Sequence, residues 1–360
     1  MKCEYFGKCG SCKIYPDYEE QLLLKREQFI KLFGIEPRVF ASPPEHFRAR
    51  AEFRIVDGSY AMHRVDSDGL IEIKECPIVL KPIFTLMPQL LISLKQNHSL
   101  MHKLYRVDFL SGLSGEILVT LVYHRPIDED WEEEAKKIAQ KFQINIVGRS
   151  RGVKRIIGKE YITEELRINN KKYLYHHYEG SFTQPNPYMN QQMIAWVLEM
   201  AGNKKRDLLE LYCGAGNFTI PLASKFRKIL ATEVSKTSIK AAKENCALNS
   251  VENIAFVRLS SEEVSQALRA ERTFRRLAHL DLASYDFQTV FVDPPRCGLD
   301  DATRALIRDF EEIVYISCNP QTLYRDLEEL QKSHEIRELA LFDQFPYTPH
   351  MECGVKLVRR

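Results

Sequence analysis

The sequence lacks both a secretory leader and an apolar run long enough to cross a bilayer. It has 360 residues, enough for two or three domains, and it does not begin with the apolar segment that directs secretion. The longest apolar stretch, IFTLMPQLLISL, is interrupted by Pro88 and Gln89 and is too short to span a membrane. We therefore expect a cytoplasmic protein with no membrane segment.

The chain also lacks the pattern of a disulfide-stabilised protein. It has nine cysteines, an odd number, and without a secretory leader a disulfide framework is not expected. Three of them, Cys3, Cys9 and Cys12, nevertheless lie close together at the start of the sequence. In a reducing compartment such a group indicates a metal or cluster site, or redox chemistry.

A strong net charge is missing as well, since the formal charge is +2 at pH 7. Basic residues are nevertheless concentrated in two places. Arg48, Arg50 and Arg54 alternate along a predicted strand, which puts them on one face. The second group, in residues 149–172, consists of Arg149, Arg151, Lys154, Arg155, Lys159, Arg167, Lys171 and Lys172. Each group is either a solvated face or a phosphate-binding surface.

The first half of the sequence favours strands, and it contains neither repeats nor a low-complexity linker. The segment YEEQLLLKREQFIKLFG predicts an amphipathic helix that ends at a glycine. Residues 38–175 then read mainly as strands, with a hairpin turn at Asp57-Gly58. Helices are predicted near 78–101 and 128–142. This pattern is typical of an α+β region.

From about residue 186 strands and helices alternate. Such alternation predicts a parallel sheet with helices on both faces, the doubly wound α/β arrangement. We therefore divide the chain into an α+β region at 1–180 and an α/β domain at 181–360.

The turn after the first strand of the α/β domain lacks the third glycine of a dinucleotide site. LELYCGAGNF supplies Gly214 and Gly216, and Glu233 follows at the end of the next strand, where it can accept hydrogen bonds from ribose hydroxyls. With no turn for a pyrophosphate, S-adenosylmethionine fits better than NAD. The alternatives are a tight turn without a ligand and a salt bridge from Glu233 to Lys236.

Two further strand ends carry reactive groups. VFVDPPRCG places Asp293 on a rigid Asp-Pro-Pro lip, and IVYISCNP places Cys318 at the edge where such sheets bind ligands. Glu352 lies in a strand-like C-terminal segment. A thiolate that adds to C6 of uracil activates C5 towards a methyl sulfonium, and a carboxylate can then remove the C5 proton. The alternatives are a buried structural cysteine and an exposed strand acid.

The motifs SFTQPNPYMN, LLELYCGAGNF, VFVDPPR, ISCNP and LFDQFPYTPHMECGV together resemble the bacterial tRNA (uracil-5-)-methyltransferases, from about residue 36 onward. The resemblance implies a C-terminal doubly wound class I methyltransferase domain and an N-terminal α+β RNA-binding region. It implies Cys318 as nucleophile and Glu352 as proton acceptor, with Arg296 and Gln184 touching the target uracil. It implies an S-adenosylmethionine site formed by Gln184, Tyr212, Asn217, Glu233 and Asp293.

The cysteines depart from the pattern of the tRNA enzymes. Cys3, Cys9 and Cys12, with Cys76 in IKECPIVL, resemble instead the cysteine set of the sister enzymes that methylate ribosomal RNA. That resemblance implies a [4Fe–4S] cluster in a structural role, because such clusters are held by four thiolates. Zinc and a vestigial, empty site are the alternatives.

The expected activity is methylation of uridine 54 in the tRNA T-loop by a monomeric enzyme. The basic residues would hold the RNA backbone while the target base leaves its stack. A 23S ribosomal RNA hairpin is the alternative substrate. An RNA-binding or folding factor is the alternative of another class.

Overall fold

The computed structural model describes residues 1–14, 17–202 and 205–360. Over these residues no helix has both the length and the apolar character needed to cross a membrane. The α-helices are α1 Tyr18–Phe33, α2 Lys81–Lys95, α3 His98–Met101, α4 Glu129–Phe142, α5 Pro187–Met200, α6 Thr219–Leu222, α7 Lys236–Leu248, α8 Ser261–Leu268, α9 Asp301–Ile307 and α10 Pro320–Leu330.

Strands form an N-terminal sheet, a hairpin and a C-terminal sheet. The first eight strands are β1 Arg38–Phe40, β2 Arg50–Val56, β3 Ser59–His63, β4 Leu70–Glu72, β5 Leu104–Ser111, β6 Ile117–Tyr123, β7 Asn145–Ser150 and β8 Val153–Ile157. The others are β9 Tyr161–Ile168, β10 Lys171–Tyr178, β11 Asp207–Leu211, β12 Ile229–Thr232, β13 Ile254–Val257, β14 Phe287–Val292, β15 Glu312–Ser317, β16 His334–Phe342 and β17 Glu352–Arg359.

The C-terminal sheet has the order β1-β16-β17-β15-β14-β11-β12-β13. The four pairs among β11 to β15 are parallel, which confirms the doubly wound prediction. Only β17 reverses direction, since it runs antiparallel to both β15 and β16. Its first residue therefore lies beside the carboxyl end of β15.

The N-terminal sheet has the order β4-β3-β2-β5-β6-β7-β8. Asp57 and Gly58 both adopt positive φ, 47° and 77°, so the predicted β2–β3 turn is present. Helices α2 and α4 pack on this sheet and bury Leu90 and Trp131 completely. This half has a core of its own.

Two N-terminal pieces pack with the C-terminal half. Strand β1 pairs in parallel with β16, and the β9–β10 hairpin buries Leu166 and Tyr175 in the core formed with α5. The division at 180/181 stays a prediction.

Candidate active site

A cavity of about 450 Å³ opens at the carboxyl edge of β11, β12 and β14. Parallel strands end at one edge of a sheet, so side chains from distant sequence positions meet there. The five residues predicted for the cofactor line this cavity, namely Gln184, Tyr212, Asn217, Glu233 and Asp293. Their individual roles stay predictions.

The glycine turn and Glu233 are joined directly. Gly214 has a φ of 53°, and a methyl group built on it would meet no atom within 4 Å. Its N–H donates to Glu233 Oε2 over 3.2 Å, and Ser235 N–H donates to Oε1 over 2.8 Å. Because each carboxylate oxygen can accept a second bond, Glu233 can still bind ribose hydroxyls.

Asn217 is held by a residue that the sequence analysis did not identify. Asn217 Nδ2 donates to Asn190 Oδ1 over 2.9 Å, and Asn190 Nδ2 donates back to Asn217 Oδ1 over 2.8 Å. Tyr175 OH also donates to the Asn217 carbonyl. Only the position of Asn190 in the motif NPYMN hinted at such a role.

Two carboxyl groups are buried at this end of the sheet, and one of them, Asp293, lines the cavity. Burial raises the pKa of Asp293 to about 7. Burial, with a contribution from Asp293, raises the pKa of Glu210 to about 8. Among the described residues, the buried hydroxyl of Thr183 on the cavity wall has no hydrogen-bond partner. A positively charged ligand with polar groups, as S-adenosylmethionine is, fits this chemistry.

A second cavity, of about 620 Å³, adjoins the first. Phe182, Thr183, Gln184, Asp293 and Pro295 line both. The second cavity is also lined by Arg48, Arg50, Arg296, Cys318, Phe345, His350 and Glu352. The sequence analysis missed Phe345 and His350, although both lie in the motif that leads to Glu352.

The predicted nucleophile and base lie at the ends of neighbouring strands. Burial, Glu352 and Asp293 raise the pKa of Cys318 to about 11, and Arg296 acts in the opposite direction. Burial also raises the pKa of Glu352 well above its ordinary value, with Asp293 contributing. Burial therefore favours the protonated form of both groups.

A phosphate-binding role for the basic residues in 149–172 stays a prediction. Most of them pair with carboxylates; for example, Arg155 Nη1 lies 2.6 Å from Glu132, and Lys172 Nζ lies 2.5 Å from Glu165. In the described part of the chain, Arg48 forms no ion pair, and neither does Arg50. The second cavity is therefore lined by two arginines without an ion-pair partner among the described residues.

One small cavity is lined by all four of the cysteines that were predicted to form a metal site. They are Cys3, Cys9, Cys12 and Cys76. Within residues 1–14, 17–202 and 205–360, however, no group of three or more His, Cys, Asp or Glu side chains has the geometry of a metal site. The cysteines are therefore neighbours without a preformed coordination sphere.

Known proteins resemble the chain over nearly its whole length. A model of the tRNA (Uracil-5-)-methyltransferase family matches residues 17–360. Proteins called tRNA/tmRNA (uracil-C(5))-methyltransferase from Nitratiruptor sp. and Wolinella succinogenes are 63% and 51% identical to it, and each match covers 100% of both chains.

A solved structure agrees with these relatives. The Pyrococcus abyssi tRNA (uracil-54, C5)-methyltransferase in complex with S-adenosyl-L-homocysteine is 26% identical, with a TM-score of 0.74. The match covers 95% of this chain and 84% of that one.

Proposed function

Since the chain belongs to the tRNA (uracil-5-)-methyltransferase family, we propose that its two adjoining cavities bind the two reactants of one methyl transfer. The enzyme is an S-adenosylmethionine-dependent methyltransferase acting on C5 of uracil in tRNA. The observation that supports this assignment of one reactant to each cavity is their shared wall, where Thr183, Gln184 and Asp293 line both. The first cavity takes the cofactor and the second takes the base.

The proposed target is uridine 54 in the T-arm. The solved relative from Pyrococcus abyssi is named for that position. Arg48 and Arg50 at the mouth of the second cavity supply charge for the flanking phosphates. A monomeric state and a cytoplasmic location stay predictions.

In the proposed mechanism, the Cys318 thiolate adds to C6 of uracil, and the electron pair of the C5–C6 bond moves towards C5. S-adenosylmethionine supplies a methyl group on a positively charged sulfur. Glu352 then accepts the C5 proton, and the thiolate leaves as the ring double bond re-forms. Arg296 favours the ionised forms of both Cys318 and Glu352.

A T-arm RNA with 5-fluorouracil at position 54 tests this mechanism. Fluorine at C5 cannot be removed as a proton, so a methylated covalent adduct should accumulate and run slowly on a denaturing gel. Cys318→Ala should abolish the adduct. Cys297→Ala changes an exposed cysteine on the nearby lip and should retain it. Equal adduct in wild type and Cys318→Ala contradicts the mechanism.

Substrate choice needs its own comparison. Methyl transfer to unmodified T-arm RNA should be faster than transfer to 23S ribosomal RNA hairpins. Faster transfer to the hairpins would contradict the proposed target.

We propose further that Cys3, Cys9, Cys12 and Cys76 hold a [4Fe–4S] cluster. Burial, together with the other cysteines, raises the pKa of Cys12 and of Cys76 to about 12. Cysteines bind a metal as thiolates, and the charge of the iron in a cluster compensates them. Small shifts of the cysteine side chains would complete the coordination.

Anaerobic purification tests the cluster. The protein should be brown, with iron and sulfide each near four per chain. Cys12→Ser should lose most of the iron, whereas Cys246→Ser, at a buried cysteine of the methyltransferase core, should retain it. Colourless protein with one zinc per chain would contradict the cluster.

A further inference from the structure

The loop from Asp343 to Met351 forms one wall of the second cavity. It joins β16 to β17, supplies Phe345 and His350 to the cavity, and ends just before Glu352. Arg296 Nη2 donates to His350 Nδ1 over 3.0 Å, so the wall reaches the Asp-Pro-Pro lip. The position of this loop therefore sets the space left for a base.

Tyr347, in the middle of the loop, does not touch the cavity but is fully buried behind it. Its φ is 62°, in the left-handed region, which is strained for a residue with a side chain. Tyr347 OH donates to the Pro44 carbonyl over 2.9 Å. A strained residue persists only where surrounding contacts hold it.

Helix α1 holds the loop from one side. Lys25 Nζ lies 2.6 Å from Asp343 Oδ1 and donates to the Phe345 carbonyl over 2.9 Å. Gln21 Nε2 donates to Asp343 Oδ2 over 2.8 Å, and Gln21 Oε1 accepts from Tyr347 N–H over 3.2 Å. The two bonds to the Asp343 carboxylate are buried and charge-assisted.

The cysteine-bearing segment, residues 1–14, holds the loop from the other side. Lys13 N–H and Ile14 N–H both donate to the Tyr347 carbonyl, over 2.8 and 3.2 Å. The Phe6 ring meets the Tyr347 ring edge-on, with 6.4 Å between centroids. Cys12 and Tyr347 belong to one buried cluster. The segment therefore fixes both the backbone and the ring of Tyr347.

We propose that Tyr347 is a positioning residue through which the cysteine-bearing segment sets the Phe345–His350 wall of the base cavity. The inference rests on the proposed function of that cavity, and it assigns a structural role to the cysteine site. The site orders residues 1–14, and these residues hold the loop. No residue of the loop lines the cofactor cavity, and the loop meets its wall through Gln344 Nε2, which donates to Gln184 Oε1 over 2.7 Å. We therefore expect a displaced loop to change RNA binding far more than cofactor affinity.

The test compares Phe6→Ala and Tyr347→Phe with Tyr60→Phe. Phe6 lines neither the cofactor cavity nor the base cavity. Tyr60 is the matched control, because its buried hydroxyl donates to the Met87 carbonyl in the N-terminal core and Tyr60→Phe removes one such bond, as Tyr347→Phe does. Phe6→Ala should slow adduct formation with 5-fluorouracil T-arm RNA and raise the KM for RNA, by about tenfold to a hundredfold. Tyr347→Phe, which keeps the ring, should show a smaller effect in the same direction.

The dissociation constant for S-adenosylmethionine, measured by calorimetry, should be unchanged in all three variants, and Tyr60→Phe should match wild type throughout. Wild-type adduct formation checks the proposed function itself. If wild type forms the adduct and Phe6→Ala forms it equally fast, the inference about Tyr347 is wrong while the proposed function stands. Loss of cofactor affinity in Phe6→Ala would likewise overturn it, since the defect would then not be confined to the base cavity.

Discussion

Glu352 and Cys318 are neighbours because β17 runs antiparallel to β15. The register pairs Cys353 with Ser317, so the residue before Cys353 meets the residue after Ser317. Asp293, at the end of β14, acts electrostatically on both. Nucleophile and base therefore share one buried and acidic environment, which favours the protonated form of each.

The rate of covalent addition should rise steeply with pH. Because the pKa of Cys318 is raised to about 11, the reactive thiolate is scarce at pH 7, and its fraction grows about tenfold per pH unit below the pKa. We expect the rate of adduct formation with 5-fluorouracil T-arm RNA, measured with saturating S-adenosylmethionine, to follow that slope between about pH 7 and about pH 9.

Arg296→Met provides the comparison for the pH profile. Removing this guanidinium takes away the cation that lowers the pKa of Cys318, so the variant should be slower at each pH. A flat profile in wild type would show that Cys318 is already ionised at pH 7.

Glu352→Gln should separate addition from proton removal. The amide is close in size to the carboxyl group but accepts no proton at C5, so methylated uracil should stay attached to Cys318. We expect a denaturation-resistant complex with ordinary T-arm RNA and turnover reduced about 10²–10⁴-fold, the usual contribution of a general base. Normal turnover in Glu352→Gln would assign proton removal to another group.

The residues at the strand ends of the α/β domain could be predicted from sequence to lie together, because parallel strands all end at one edge of the sheet. Gly214, Glu233 and Asp293 meet for that reason. Asn190 could not be predicted in the same way, since its bond to Asn217 depends on how α5 packs across the sheet. Glu132, which pairs with Arg155, was equally hidden because it lies on α4, whereas Glu165, which pairs with Arg167 and Lys172, lies within the basic stretch itself.

Asn190→Ala should weaken cofactor binding although Asn190 does not line the cofactor cavity. The substitution leaves the Asn217 amide without its reciprocal partner, so Asn217 should lose its fixed orientation. We expect the dissociation constant for S-adenosylmethionine to rise about tenfold, the equivalent of one buried hydrogen bond. Asn253→Ala, which removes bonds to the Ala223 and Phe226 carbonyls, is the matched control and should leave the constant unchanged.

RNA binding should depend on Arg50 far more than on Arg167. Arg50 lines the base cavity, whereas Arg167 is exposed and already paired with Glu165 over 2.8 Å. Arg50→Ala should weaken T-arm binding and reduce the salt dependence of affinity by about one released counterion. Arg167→Ala should change neither, as measured by filter binding between 50 and about 200 mM salt. If the two variants lost RNA affinity equally, the basic stretch would also contact the phosphates.

Removing only Lys25 from the buried Lys25–Asp343 pair should lower the free energy of unfolding more than replacing both residues by apolar ones. Both side chains are almost inaccessible, at 1% and 0% exposure. Lys25→Met leaves the Asp343 carboxylate buried without its cation, so the free energy of unfolding in urea should fall by about 3–5 kcal/mol. Lys25→Met with Asp343→Leu should recover part of that loss, because no charge is then left buried. Lys332→Met breaks the exposed pair with Glu329 and should cost less than about 1 kcal/mol.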